Sequence, residues 1–176
     1  MILKKADENI ELLKELYKKA FPENERKPFE LVLENEKKGI TDILAIEDDV
    51  FKGLVITIKK NDLILVDYFA VDEAMRGQGT GAEALRLIRE KYKGCRVFLE
   101  IELPGEQYDN NEQRTRRKAF YLRNGLKASG IHTKVYETDM ELLIFDKPVS
   151  FEEYKDIFKL AIDEERLKII GEPELI

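Results

Sequence analysis

Arg76-Gly77-Gln78-Gly79-Thr80-Gly81 follows an extended apolar run, Leu63-Ile64-Leu65-Val66-Asp67-Tyr68-Phe69-Ala70-Val71, and precedes a helix-like stretch, Ala82-Glu83-Ala84-Leu85-Arg86-Leu87-Ile88-Arg89. Strand, glycine loop and helix in this order is how a backbone wraps a phosphate. Glycines adopt unusual dihedrals and let a ligand approach the main chain, while loop amides and the helix N-terminus point at the anion. The spacing separates the known phosphate binders. A Walker loop requires Gly-Lys-Ser/Thr at its end, and no lysine follows Gly81. A dinucleotide fingerprint requires G-x-G-x-x-G directly after a strand. Here the order is G-x-G-x-G, and Asp72-Glu73-Ala74-Met75 intervene before Arg76. Glu100 does fall about twenty residues on, where a ribose-binding acid would stand, which keeps that reading open. A plain glycine turn between a strand and a helix is the third reading.

Outward from the loop, turn residues and hydrophobic period divide the chain. Ile2 to Lys4 reads as a short strand, and Asp7 is placed to cap a helix starting near Glu8. Ile10, Leu13, Leu16, Tyr17 and Ala20 recur at helical spacing up to Pro22, and Pro28 suits the first turn of a second helix stopped by Gly39. Thr41 to Glu47, Val50 to Lys59 and Asp62 to Val71 read as a three-strand meander with turns at Asp48-Asp49 and Lys60-Asn61. The glycine loop launches a helix from Gly79 to Tyr92, and a strand over Arg96 to Leu103 implies a parallel crossover. A polar segment, Pro104 to Glu112, leads into a helix over Arg114 to Arg123, then a hairpin of Leu126 to Glu137 and Met140 to Asp146. Ser150-Phe151-Glu152-Glu153 is a capping box that opens a C-terminal helix.

Composition limits the function classes. The 176 residues suit one domain, with 43% apolar and 38% charged side chains. A net charge of −6 disfavours broad phosphate-backbone contact, so no nucleic-acid partner is expected. No apolar run approaches a membrane span, and the N-terminus turns acidic too early for a signal peptide. Cys95 is the single cysteine, so a cytoplasmic location is the default expectation and Cys95 reads as an inert buried thiol. The lone His132 reads as decoration on a strand. No Cys/His cluster has metal-ligand spacing, so no metal is expected. No G-x-S-x-G accompanies the histidine.

The pattern Arg76-x-x-Gly79-x-Gly81 resembles the pyrophosphate loop of the GNAT superfamily of acyl-CoA N-acyltransferases. Ala119-Phe120-Tyr121-Leu122-Arg123-Asn124-Gly125-Leu126 resembles that family's downstream helix and exit turn, with Leu126 where Phe is usual. The resemblance spans roughly residues 1–148. It implies an α/β (α+β) fold with a mixed, mostly antiparallel central sheet flanked by helices. Residues 149–176 are left as a C-terminal helical extension packed on the same domain.

The resemblance also implies a site. Acetyl-CoA would be the cosubstrate, its pyrophosphate held by Arg76, Gly77, Gln78, Gly79, Thr80 and Gly81. The fourth and fifth strands would splay so that the pantetheine arm lies along the backbone of Phe69, Ala70 and Val71, one of whose amides serves as oxyanion donor. Tyr121 would protonate the leaving thiolate; a phenol near 10 and a thiol near 8.5 make that transfer nearly balanced. Glu100 would deprotonate the amine, as in family members that acetylate protein N-termini. Two departures stand against that carry-over: a longer loop before the tyrosine helix, and Arg114 where those relatives have Asn. Asp67 and Glu102 are the further carboxylates expected to contact the acceptor or to replace Glu100, and water is another base. The basic run Arg114, Arg116, Arg117 and Lys118 reads either as a solvated face or as a contact to cofactor phosphates. The expected partner is a small-molecule amine. A homodimer is compatible with the sequence. A non-catalytic acyl-CoA sensor on the same fold is the rival.

Overall fold

Turn residues and strand periodicity place the chain in a single sheet, and helical stripes cover both of its faces. The computed structural model describes residues 1–176. In chain order the elements are β1 (Ile2–Lys5), α1 (Ile10–Ala20), α2 (Phe29–Lys37), β2 (Thr41–Glu47), β3 (Phe51–Lys60), β4 (Leu63–Val71), α3 (Thr80–Lys91) and β5 (Arg96–Glu102). Then follow α4 (Asn111–Arg123), β6 (Lys127–Val135), β7 (Thr138–Ile144), α5 (Phe151–Leu160), α6 (Glu164–Ile170) and β8 (Glu174–Leu175). The strand order is β1-β2-β3-β4-β5-β7-β6-β8. Only β4 and β5 pair in parallel, and α3 is the crossover between them. The fold is the mixed, mostly antiparallel α/β architecture expected from the sequence.

Alternation along each strand sorts the core onto two faces. Leu44, Ile46, Val55, Ile64, Val66, Val97, Leu99 and Leu143 lie against α3 and α4, which contribute Ala84, Leu85, Ile88 and Tyr121. On the other face Ile43, Leu54 and Ile56 meet Leu13, Tyr17, Phe29 and Val32 of α1 and α2. Farther along that face, Ile58, Leu65, Phe98 and Leu142 meet Tyr154, Ile157 and Phe158 of α5.

The feature that positions the site is a break in this regularity. β4 pairs with β5 only from Leu63↔Arg96 to Val66↔Leu99. Beyond that step β4 stays on β3 while β5 stays on β7. The register of β3 on β4 passes from Thr57↔Val66 to Ile56↔Tyr68, which makes Asp67 the extra residue of a β-bulge. A bulge bends its strand and reverses the side-chain alternation that follows. Accordingly Ile64 and Val66 share the α3–α4 face before it, whereas Phe69 lies on that face after it and Tyr68 and Ala70 turn to α1 and α2. The two central strands therefore diverge at Asp67 and Glu100.

Several local expectations are corrected. Asp7 caps nothing: a short 3-10 turn, Asp7–Asn9, precedes α1 and neither junction carries a side-chain cap. Helix α4 starts at Asn111, three residues before Arg114. The extension is more than one helix. Asp163 accepts the Arg166 N–H and starts α6, and β8 then pairs with β6 through Thr133↔Leu175 and Lys134↔Glu174. The Ser150–Glu153 capping box forms as expected, with both reciprocal hydrogen bonds present. Cys95 is half-buried at the edge of the core, not sealed within it.

Candidate active site

The glycine loop is shaped by its own backbone chemistry. The Asp72 side chain accepts the Ala74 N–H at 2.9 Å, which starts a tight turn after β4. Gly77 and Gly79 have φ of 74° and 81°, left-handed values that disfavour a side chain. Gly79 is the residue from which α3 departs. Arg76 Nε donates to the Val71 carbonyl at 3.2 Å, and Gln78 Nε2 donates to the Ala74 carbonyl at 3.1 Å, so both side chains brace the loop. The N–H groups of Gly77, Gln78 and Gly79 donate to no acceptor in the chain. The first-turn amides of α3 at Thr80, Gly81 and Ala82 have no intrahelical acceptor by helix geometry. These donors and the positive end of α3 make an anion cradle. Gly81 has a different role: a Cβ there would meet the Phe120 ring at 3.0 Å, so its bareness lets α3 and α4 approach. A cavity of about 430 Å³ begins at Gly79 and runs along α3 past Arg86 to Asn124 and Phe145, away from the fork.

The fork supplies a second set of backbone groups. Asp72 N–H donates to the Lys52 carbonyl at 2.8 Å. In antiparallel pairing the direction alternates, so Tyr68 and Ala70 turn their amides to β3 while those of Phe69 and Val71 face the gap. Of the three residues expected to line the gap with backbone, Ala70 thus turns away.

Tyr121 occupies the α3–α4 side of the fork. Its residue surface is 8% exposed, and its ring lies 6.5 Å from Phe69 and 5.3 Å from Phe120. Of the seven tyrosines, five donate their hydroxyl to a partner in the chain: Tyr17, Tyr68, Tyr92, Tyr108 and Tyr154. Tyr136 is exposed. Tyr121 is the buried one whose hydroxyl has no partner, and that oxygen is not sealed from solvent. Burial raises its pKa to about 12, against a smaller lowering effect of Arg117. The near-balance expected for a phenol near 10 is therefore shifted. The hydroxyl stays protonated at neutral pH and is a weaker acid than assumed.

Glu100 lies on the opposite face, in line with Phe98 by alternation. The Tyr154 hydroxyl donates to Glu100 Oε2, while Oε1 has no partner and keeps some solvent contact. Burial raises the Glu100 pKa to about 7, and the nearby Asp67 charge adds to this; Tyr154 and Lys27 oppose it.

Asp67, Glu100 and Glu102 form one group of acids in the sequence, and the structure gives each of them different partners. Asp67 forms a largely buried ion pair with Lys27, whose backbone N–H also donates to the Tyr68 hydroxyl. Glu102 curls to α4, where Arg114 and Arg117 hold its two oxygens at 2.9 and 3.0 Å. The basic run is absorbed internally. Arg116 pairs with Glu112, and Lys118 reaches the buried Glu141 at 2.7 Å. Arg114 also donates to the Leu103 carbonyl and stacks 3.9 Å over Tyr108, pinning the Pro104–Asn110 segment. Lys27, Tyr154 and Glu141 were missed because their partners are remote in sequence. The one sequence signal was an acid at an inward position of the apolar run Met140-Glu141-Leu142-Leu143. No three His, Cys, Asp or Glu side chains are grouped to hold a metal ion. No helix is long and apolar enough to cross a membrane.

Solved structures with the same architecture extend these observations. A GNAT-family protein from Bacteroides thetaiotaomicron superposes with a TM-score of 0.73 at 21% identity, covering 89% of this chain and 93% of that one. A Bacillus subtilis acetyltransferase in complex with CoA gives 0.62 at 16% identity, covering 83% and 98%. An aminoglycoside 6′-N-acetyltransferase complexed with coenzyme A gives 0.64 at 15% identity, covering 85% and 100%. No curated protein matches the chain. Identities this low establish a shared fold. The sequence itself goes further, because the model of the acetyltransferase (GNAT) family aligns with residues 10–125, from the start of α1 through the glycine loop to the turn after Tyr121, and the chain belongs to that family.

Proposed function

We propose that this protein transfers an acetyl group from acetyl-CoA to a primary amine, directly and within a ternary complex. The observation that carries the reading is the Tyr121 hydroxyl, buried beside the fork yet unpartnered, in a chain that satisfies its other buried tyrosines. The hydroxyl is unpartnered within the chain and open to solvent, so it is free to bond to a bound molecule.

The residues present fit the cosubstrate. The free amides of Gly77, Gln78 and Gly79 and the N-terminus of α3 suit a pyrophosphate. The gap-facing amides of Phe69 and Val71 suit the amide groups of a pantetheine arm, and one of them would act as oxyanion donor. Acetyl-CoA supplies the acetyl group as an activated thioester. Tyr121 then donates a hydrogen bond to the developing thiolate. With its pKa about 12, it stabilises that charge more readily than it surrenders the proton outright. Glu100, titrating about 7, is suited to take the proton that the amine loses. Because Glu100 and Tyr121 stand on opposite faces, the amine would approach from the α1–α2–α5 side and the cosubstrate from the α3–α4 side.

A small amine is the favoured acceptor. One structurally similar enzyme acts on aminoglycosides and another on spermidine, and here α5 and α6 occupy part of the acceptor face. A non-catalytic acyl-CoA sensor would need the loop but not Glu100 or the free hydroxyl. The test is a panel of amines with acetyl-CoA, following release of free thiol, beside thermal shifts with acetyl-CoA, CoA and NAD. Thiol release with at least one amine and stabilisation by CoA species is expected. Stabilisation by acetyl-CoA with no turnover across the panel would favour the sensor, and a shift with NAD alone would overturn the loop assignment.

A further inference from the structure

We propose that Tyr154, on the C-terminal helix α5, is a positioning residue of the site, orienting the Glu100 carboxylate at the acceptor side of the fork. The inference rests on the reading of Glu100 as the group that takes the amine's proton.

The geometry assigns this role through one continuous chain of contacts. Ser150 caps α5 with a complete capping box, which fixes where the helix begins and hence where Tyr154 falls on its first turn. Tyr154 is fully buried. Its ring meets Phe98 edge-on at 6.4 Å and Phe158 at 6.0 Å. Phe98 and Glu100 are two residues apart on β5 and share a face, so a ring standing on Phe98 brings its hydroxyl to the Glu100 carboxylate. One carboxylate oxygen is thereby fixed, and the other is left without a partner and in contact with solvent. That is the division a proton acceptor needs: one oxygen held by the protein, the other presented to the reactant.

The titratable and charged groups facing Glu100 are few. Tyr154 comes from α5, Asp67 from β4 and Lys27 from the segment before α2. The β7 neighbour is the apolar Leu142. Asp67 and Lys27 pair with each other, which leaves Tyr154 as the group bonded to Glu100 itself. The extension is tied to the rest of the acceptor side by Arg166, which donates to the Arg26 carbonyl at 2.6 Å, and by Asn35, which donates to the Ala161 carbonyl at 3.3 Å. Residues beyond the family match at 10–125 thus complete a site that lies mostly within it.

The test is Tyr154→Phe, which keeps the ring and removes the hydroxyl. Losing a hydrogen bond to the charged form disfavours that form, so the Glu100 titration should move up by about one pH unit. Carboxyl-carbon NMR of wild type, Tyr154→Phe and Glu100→Gln reads this without any substrate, the last variant assigning the resonance. The acidic limb of kcat/KM should move with it, lowering kcat/KM at pH 7 about fivefold while the plateau at high pH recovers. A merely structural tyrosine would lower the melting temperature and leave both titrations in place, which would overturn the proposal. An NMR titration that moves while the pH-rate limb stays would uphold the Tyr154 contact and refute Glu100 as the base. Should Tyr154→Phe not fold, wild type carries the test. A Tyr154 hydroxyl proton whose shift follows the Glu100 titration is expected, and one insensitive to it would overturn the assignment.

Discussion

Asp67 and Glu100 are the first residues past the last paired step of the parallel strands, Val66↔Leu99, so two carboxylates face each other across the point where the sheet opens. Their surroundings divide them. Lys27 pairs with Asp67, while Glu100 has a tyrosine hydroxyl and no cation of its own. Burial without a cation of its own is what holds the Glu100 carboxyl up at about 7.

A raised carboxylate pKa has a consequence for stability. The Glu100 pKa rises from 4.5 to about 7 on folding. The folded state therefore binds more proton than the unfolded state between those values. The stability contributed by protonated Glu100 is complete below pH 4.5 and is lost as pH rises through about 7. Glu100→Gln mimics the neutral form, so it should flatten this dependence and be more stable than wild type above pH 7, by up to about 3 kcal/mol. Urea melts at pH 5 and pH 8 check it; an identical wild-type decline in the variant would place the titration elsewhere.

Tyr121→Phe should reduce turnover of an amine substrate by a factor of about 10² with acetyl-CoA affinity nearly unchanged. Because the hydroxyl has no partner in the chain, its removal should not lower the melting temperature. Kinetics and a melting curve on one preparation decide this. Full activity would refute the assignment.

Gly79 and Gly81 should fail differently. At Gly79 a Cβ meets nothing within 4 Å, but φ is 81°. Gly79→Ala should cost about 1 kcal/mol in stability and weaken acetyl-CoA binding at least tenfold by moving the loop amides. At Gly81 the added atom presses on Phe120 at 3.0 Å, so Gly81→Val should act chiefly on α3–α4 packing. Calorimetry on folded Gly79→Ala is the measurement, and unchanged affinity would sink the phosphate-cradle reading.

Lys27→Met strands Asp67, whose side chain is only 11% exposed. An uncompensated buried charge costs about 3 kcal/mol or more. Asp67→Asn combined with Lys27→Met should recover much of that loss, because neither charge is then left alone. A double-mutant cycle on melting data tests it, and strictly additive losses would argue against coupling.

Local signals in the sequence were sufficient for the glycine loop, the meander, the crossover and the capping box at Ser150. Each depends on residues within a few positions of one another, where backbone sterics and hydrophobic period act directly. Tyr121 stood out because the helix motif around it is contiguous. The tertiary structure decided what became of the charges. Asp67, Glu100 and Glu102 look alike as acids in or near apolar strands. A one-residue bulge, a lysine forty positions upstream of Asp67, a tyrosine on α5 and two arginines on α4 give them three different fates. Neither the bulge nor those partners has a local sequence signature, since pairing register and long-range ion pairs are set by the packing of whole elements. The sequence thus determined that a phosphate-binding strand-loop-helix and an acid-bearing β5 exist. Only folding decided which acid keeps an oxygen free at the fork, because that depends on which distant side chain reaches each carboxylate first.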